Sequence, residues 1–312
     1  MTPSPAVSVI LPTHNRIEYL KEAVNSVRAQ TLTDWELIVV VDGSTDGSAE
    51  WLENLGDPRI MLVRNAHRSS CAAARNAGLP GARAKWIAFL DDDDRWAPNK
   101  LARQLAFHSD HPAVRWSYTA ATKIDATGRP LSPDLFRPWV PHSGQILEQV
   151  LSLEANIAAP SVMVEAALLR ELGGFNETCR AEDFELWVRL AERCECGLVD
   201  EPLLEIRKHR AVSFQWPEIS LGFTEIYQAF ADRTADPLLR EQSHTRAAYH
   251  AVDAADRFGM LGQWSDAAGA VRLALRIRPR APFAYRAAWR LVWRRIRAAV
   301  SSDAPPRAEP RV

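Results

Sequence analysis

Four short apolar runs, each closed by a turn residue or a polar cluster, alternate with segments of helical periodicity through roughly the first ninety residues. Val7-Ser8-Val9-Ile10-Leu11 predicts a buried strand broken by Pro12, and Ile17, Leu20, Val24 and Val27 then recur at helical spacing over residues 18–29. Trp35-Glu36-Leu37-Ile38-Val39-Val40-Val41 predicts a second strand, stopped by the turn signal Asp42-Gly43-Ser44. Residues 48–55 suit a helix, Arg59-Ile60-Met61-Leu62-Val63 a third strand, and the alanine-rich stretch 71–79 a helix ended by Gly78, Pro80 and Gly81. Trp86-Ile87-Ala88-Phe89-Leu90 is the fourth strand and runs directly into four aspartates. Such alternation indicates βαβ units and a mostly parallel sheet, whose ligands bind beyond the carboxyl ends of the strands. Thr13, Asp42 and Asp91 to Asp94 fall at those ends.

The pattern changes further on. A helix follows Pro98 to about residue 109, carried by Leu101, Leu105 and His108. Residues 114–160, with Pro130, Pro133, Pro138 and Pro141, predict an irregular exposed loop. Order returns at Ser161-Val162-Met163-Val164, a helix over 166–172, and a helix over 183–193 whose buried face is Phe184, Trp187, Val188 and Ala191. Beyond residue 219 only helical periodicity is left. Ala254, Phe258, Leu261, Trp264 and residues 267–275 resemble one helix hairpin of the tetratricopeptide kind, and a single copy is no array. The last helix, 282–300, sets Arg286, Arg290, Arg294, Arg295 and Arg297 beside Phe283, Trp289, Leu291, Val292 and Trp293. It suits an anionic membrane surface, and equally a helix packed on its own domain with solvated arginines. Residues 1–218 are thus expected to form the α/β domain, 219–300 an all-helical extension, and 301–312 a disordered tail rich in proline and charge.

A net charge of −1 gives no reason to expect a nucleic-acid partner. Four cysteines in 312 residues are too few for a disulfide framework, and Cys194-Glu195-Cys196 lacks the second pair a metal site would need. No run approaches the ~18 apolar residues that span a bilayer, and the N-terminus has no secretory pattern, so a cytoplasmic protein is expected.

Asp91-Asp92-Asp93-Asp94 is the sharpest chemical feature. Four adjacent carboxylates repel, so placing them on one loop destabilises the fold unless a cation or partner compensates. Hard divalent cations, Mg²⁺ or Mn²⁺, take carboxylate and phosphate oxygens together; the alternative is a solvated acidic turn capping the next helix. Pro12-Thr13-His14-Asn15-Arg16, Glu36 to Asp46, Ala74-Arg75-Asn76-Ala77-Gly78, Phe89 to Asp94, Gly173-Gly174-Phe175-Asn176-Glu177 and Glu182 to Trp187 occur in that order. The series resembles the inverting glycosyltransferases of the family-two type, with the GT-A fold, over residues 7–213.

The resemblance implies a nucleotide-sugar donor, a saccharide or lipid-linked acceptor and a divalent metal. It implies that Thr13 and Asp42 hold base and ribose, with Asp42 accepting from the ring N3–H of uracil or thymine, and that Pro12, Asn15 and Arg16 also bind the nucleotide sugar. Val41 departs from the pattern, since many members carry an acidic residue there. Arg75 would lie near base or phosphates, Asp92 near ribose or diphosphate, and Asp91 and Asp93 at the metal, completed by His209; Asp94 would cap the following helix. Asp183 matches the position of the catalytic base, a role Glu182 could share, and as an acidic residue at a helix start it also suits the dipole. Acceptor choice would reside in residues 130–154 and the C-terminal helices, and assembly of cell-envelope or exported polysaccharide is the expected setting. Two other readings stay open: a sugar-phosphate nucleotidyltransferase, disfavoured because residues 12–16 lack glycine, and a helical interaction protein with a degenerate nucleotide-binding domain.

Overall fold

Every residue of strand β2 (Trp35–Asp42) is buried, which requires a sheet covered on both faces and paired along both edges. In the computed structural model, which describes residues 4–133, 140–208 and 216–300, β2 lies parallel to β1 (Val7–Thr13) on one side and β3 (Ile60–Asn65) on the other. β1 is also parallel to β4 (Trp86–Phe89). Helices α1 (Ile17–Arg28), α2 (Ser48–Asn54) and α3 (Cys71–Gly78) fall between successive strands. Leu20, Ala23, Val24 and Val27 of α1 join Val9, Leu11, Leu37 and Val39 in one core cluster, where each large aliphatic side chain contributes about 1.5–3 kcal/mol by leaving water. Glu36 sits in this interior because Ser8 Oγ donates to it at 2.6 Å and Arg83 pairs with it at 2.7 Å, so its charge is compensated.

The strand expected to stop at Pro12 continues through it to Thr13. β4 pairs with β1 only from Val7 to Ile10, so the missing N–H of Pro12 falls where that neighbour has already ended.

Beyond β4 the sheet becomes mixed. β7 (Met163–Glu165) is antiparallel to β4 and to β6 (Trp116–Ile124), β6 is parallel to β8 (Gly197–Arg207), and the two-residue β5 (Arg95–Trp96) closes the edge. The eight strands run β3-β2-β1-β4-β7-β6-β8-β5. The expected loop over 114–160 is therefore corrected: it contains β6 and the helix α5 (Leu147–Leu151). β6 buries Ser117 and Thr119 beside Trp116 and Tyr118, so no apolar run announces it. β8 contains Asp200, Glu201 and Pro202, and its register with β6 shifts around Ala120. The remaining helices here are α4 (Lys100–Asp110), α6 (Ala166–Glu171) and α7 (Glu182–Arg193).

The strands and these helices belong to one compact unit, residues 1–178 with 182–209; residues 179–181 with 210–312 form the second. The second unit holds α8 (Pro217–Arg233), α9 (Pro237–Met260), α10 (Trp264–Ile277) and α11 (Pro282–Val300). Asp236 caps α9 by accepting from the backbone N–H of Leu238 and Leu239, with Pro237 at the first helical position. Ala248, Ala251, Ala255, Ala267, Ala270, Ala274, Ala284 and Ala287 dominate the core of α9, α10 and α11, small side chains that let helix axes approach closely. Among the described residues no helix is long and apolar enough to cross a membrane.

Candidate active site

The carboxyl ends of β1, β2 and β4 open onto one cleft, lined by Pro12, Thr13, His14, Arg16, Asp42, Arg68, Ser69, Cys71, Ala74, Asp91, Asp92 and Asp93. The loop after β1 and the acidic loop after β4 are tied directly: Thr13 Oγ1 donates to Asp92 Oδ2 at 2.8 Å, and Arg16 Nη1 reaches Asp92 Oδ1 at 3.2 Å and Asp93 Oδ2 at 2.7 Å. Burial raises the Asp92 carboxyl to about 6, against the opposing pull of Arg16. Asn15, at φ 51°, takes another part. Its Oδ1 accepts from the Thr45 N–H at 2.8 Å and its own N–H donates to Ser44 Oγ, so it fastens the loop after β1 to the loop after β2. It is absent from the cleft wall. Asp46 in that second loop accepts from the Ile17 N–H and from Ser48, joining the starts of α1 and α2.

Asp42 is held on three sides: Asn65 Nδ2 at 2.7 Å, the Ser69 N–H at 2.7 Å and Ser69 Oγ at 2.9 Å. The chain after β3 can come this close only because residue 43 is glycine, at φ +68° with a notional Cβ 2.5 Å from the Arg68 nitrogen. Val41, one residue earlier, is buried in the apolar core with Val39 and Leu37, so strand alternation turns it away from the face that carries Asp42.

Arg75 links the two sides of the site. Its guanidinium is buried, donates to Asp91 Oδ1 at 2.8 Å and to Asp183 Oδ1 at 2.6 Å, and lies 3.6 Å from Glu182 and over the Phe175 ring. The three carboxylates compensate the buried guanidinium and leave an excess of negative charge in the cluster. Asp183, at the start of α7, is crowded by protein yet keeps 37% of its side-chain surface open to solvent. Burial pushes its carboxyl up from the usual range, Arg75 opposes, and Asp91 adds to the rise. Glu182 is raised to about 7 by burial and by Asp183.

The Gly173-Gly174-Phe175-Asn176-Glu177 segment docks on α3 through Asn76, whose amide donates to the Phe175 carbonyl at 2.9 Å and whose Oδ1 accepts from the Phe175 N–H at 2.9 Å. Gly174, at φ +75°, permits this approach, because a Cβ there would lie 2.6 Å from Asn76 Oδ1. Two motif blocks about a hundred residues apart in the chain therefore form one contact.

Asp94 is not the cap of the following helix. Its carboxylate accepts from the Arg207 N–H at 2.9 Å, and the N-cap position of α4 is Asn99, which makes no side-chain capping bond. Burial with the charges of Asp91 and Asp93 raises the Asp94 carboxyl well above its ordinary value. The buried Arg207 guanidinium donates to the Asp93 carbonyl at 2.9 Å and to Glu22 at 2.5 Å, pinning the acidic loop between β8 and α1. Although Arg207 opens a basic stretch in the sequence, it is interior. His209 lies outside the described residues. His14, Arg68, Ser69 and Cys71 complete the cleft, and sequence reasoning assigns them no role. The run His67-Arg68-Ser69-Ser70 after the third strand is the available signal, since strand-to-helix loops crowd the carboxyl edge.

Among the described residues no three His, Cys, Asp or Glu side chains converge as a preassembled metal cage. Asp91 and Asp93 nonetheless both line the cleft. That donor set fits a small hard cation of the Mg²⁺ type, which is held by one or two carboxylates and completed by substrate phosphates and water.

A twisted α/β sheet with a polar cleft over its carboxyl edge, walled by an acidic loop that a buried arginine holds from behind, is of the class that accommodates phosphate-bearing ligands. The chain belongs to glycosyl transferase family 2, whose sequence profile matches residues 8–155. It is 30% identical over 216 residues to Bacillus subtilis EpsE, a glycosyltransferase by name, covering 67% of this chain and 75% of that protein. It is 38% identical over 136 residues to B. subtilis TuaG, named for teichuronic acid biosynthesis, covering 43% of this chain and 54% of that one. Of three Rickettsia glycosyltransferases that it matches at 33–34% identity, it spans only about a third of the length. In fold it is similar to residues 1–349 of S. aureus TarS in complex with UDP-GlcNAc, at a TM-score of 0.69 and 17% identity, covering 93% of this chain and 89% of that one. The sheet and its helical extension are those of a GT-A glycosyltransferase.

Proposed function

We propose that the chain transfers a sugar from a uridine- or thymidine-diphosphate sugar to an acceptor hydroxyl in the cytoplasm, with inversion at the anomeric carbon. The observation that carries this reading is the Arg75 bridge, which sets Asp183 and the acidic loop on opposite ends of one guanidinium. Asp42, fixed by Asn65 and Ser69, retains lone-pair capacity on Oδ2, which accepts only from the Ser69 N–H in the structure, and is the acceptor for the ring N3–H of the base. With Val41 in the core, that recognition falls to Asp42 alone. Thr13 and Asp92 face the ribose and diphosphate, and Arg16 balances the phosphate charge.

Asp91 and Asp93, with His209 as a further ligand, would hold a Mg²⁺ or Mn²⁺ ion, which when bound neutralises the departing diphosphate as a Lewis acid. In the transfer itself the acceptor oxygen attacks the anomeric carbon as the bond to the diphosphate breaks, and Asp183 takes the proton the hydroxyl loses. Arg75 opposes the burial that favours the neutral form of Asp183 and fixes its Oδ1 at 2.6 Å. A single displacement by one base inverts the centre. TuaG supports a cell-envelope polysaccharide as the acceptor.

Calorimetric titration of UDP, dTDP and GDP, with and without Mn²⁺, tests the donor side. The expected result is metal-dependent binding of UDP or dTDP that Asp93→Ala abolishes. No binding of any of the three by the folded chain would overturn the reading.

A further inference from the structure

Helix α11 carries two apolar faces where a helix packed only on its own domain needs one. Ala284, Ala287 and Leu291 are buried against the alanine-rich core of the helical unit. Tyr285, Trp289, Val292, Trp293 and Ile296 recur at i, i+4, i+7, i+8 and i+11, which at 100° per residue puts them on a separate arc of the helix. All five are exposed, Trp289 by 64% and Tyr285 by 56%. The rings of Trp289 and Trp293 meet edge to face with centroids 5.9 Å apart, so the aromatic surface is continuous. Five large apolar side chains in one exposed stripe are more than scattered surface hydrophobics and mark a surface that is covered in use.

The charge around the stripe says by what. Nine arginines and no Asp, Glu or Lys occur between Ala267 and Ser302. Two of the arginines on α11 are tied to α9, Arg290 and Arg294 both pairing with Asp256. Arg286 and Arg295 are exposed beside the stripe. A second copy of the same helix would bring like charges together, which disfavours self-association through this face. Tryptophan and tyrosine rings with flanking guanidinium groups suit the zone between acyl chains and phosphate headgroups.

We propose that α11 docks on an anionic lipid bilayer, lying in the plane of the headgroups with Tyr285, Trp289, Val292, Trp293 and Ile296 against the acyl boundary and the flanking arginines on lipid phosphates. The contact is peripheral, because no described helix is long and apolar enough to span. The inference rests on α11 alone and is independent of the transferase reading.

Sedimentation of the full chain with phosphatidylcholine vesicles, with and without phosphatidylglycerol, tests it. The expected result is binding to the phosphatidylglycerol vesicles at least roughly tenfold tighter than to phosphatidylcholine alone, weakened by salt. Trp289→Ser with Trp293→Ser and, separately, Arg286→Gln with Arg295→Gln should each lower that binding roughly tenfold. Both pairs lie outside the buried core, and an unchanged circular-dichroism melt confirms the fold; should the tryptophan pair fail to fold, the arginine pair decides. A chain that stays in the supernatant with anionic vesicles would overturn the proposal. So would equal binding to both vesicle types unaffected by the variants, or a solution dimer that the tryptophan pair converts to monomer, which would assign the stripe to a second copy.

Discussion

The parallel half of the sheet, β3-β2-β1-β4, and the mixed half, β7-β6-β8-β5, are built by different rules. In the parallel half each strand is a short apolar run, every crossover is a helix, and β2 is buried throughout. Loops there emerge side by side at one edge, and they supply Thr13, Asp42 and Asp91 to Asp93. The mixed half is held by polar burial, as with Ser117 and Thr119 in β6, and by a register shift against β8. It sends back single residues: Arg207 from β8 to the acidic loop, and Asp183 from α7 to Arg75. We read the parallel half as the binding surface and the mixed half as the wall that carries the proposed base. Arg75 belongs to α3 and is the point where they meet.

If that division holds, substitutions in the two halves separate binding from chemistry. Asp183→Asn should lower turnover by about 10²–10⁴ while nucleotide affinity stays within about threefold; equal losses in both would erase the division. Asp42→Ala leaves Asn65 and Ser69 without their acceptor and should weaken nucleotide binding by roughly 10–100-fold with little change in turnover of bound donor, read by titration and saturation kinetics. Gly174→Val forces a β-branched residue to φ +75° and into Asn76. It should destabilise the fold by about 1–3 kcal/mol in urea melts and loosen the segment around Phe175 from α3.

The smallest effect is a pH dependence. Glu182 is raised from 4.5 to about 7, so between those values the native state binds more protons than the unfolded chain. Stability from this group is present below about 4.5 and is lost as pH rises through 7. Metal-free Glu182→Gln should therefore match the parent at acid pH and exceed it at pH 8 by on the order of 2 kcal/mol. A parent whose stability rises between pH 5 and 8, with no gain in the variant, would contradict the crowding of carboxylates around Arg75.

The same contrast explains how much of the fold is legible in the amino-acid sequence. Apolar runs and helical spacing mark β1 to β4 and α1 to α3 because continuous burial leaves a continuous signature. β6 and β8 leave none. The first buries Ser117 and Thr119, the second is interrupted by Asp200, Glu201 and Pro202, and pairing between strands so far apart in the chain has no local trace. Asp94 shows the limit within the site. Its neighbourhood suggests a helix cap, and its partner Arg207 lies 113 residues away. Asn15 likewise sits in the right motif yet staples two loops, which only the third dimension reveals. Asp91 and Asp183 can be named separately from their motifs, but their sharing of Arg75 cannot.

The most direct measurement is release of nucleoside diphosphate from UDP- and dTDP-sugars, with Mn²⁺ present, by the parent chain and by Asp183→Asn at matched donor occupancy. Metal-dependent release is expected from the parent, and from the variant unchanged donor affinity with release at least about 10²-fold slower. A variant that binds donor and releases the diphosphate at the parental rate would contradict the assignment of Asp183 as the base.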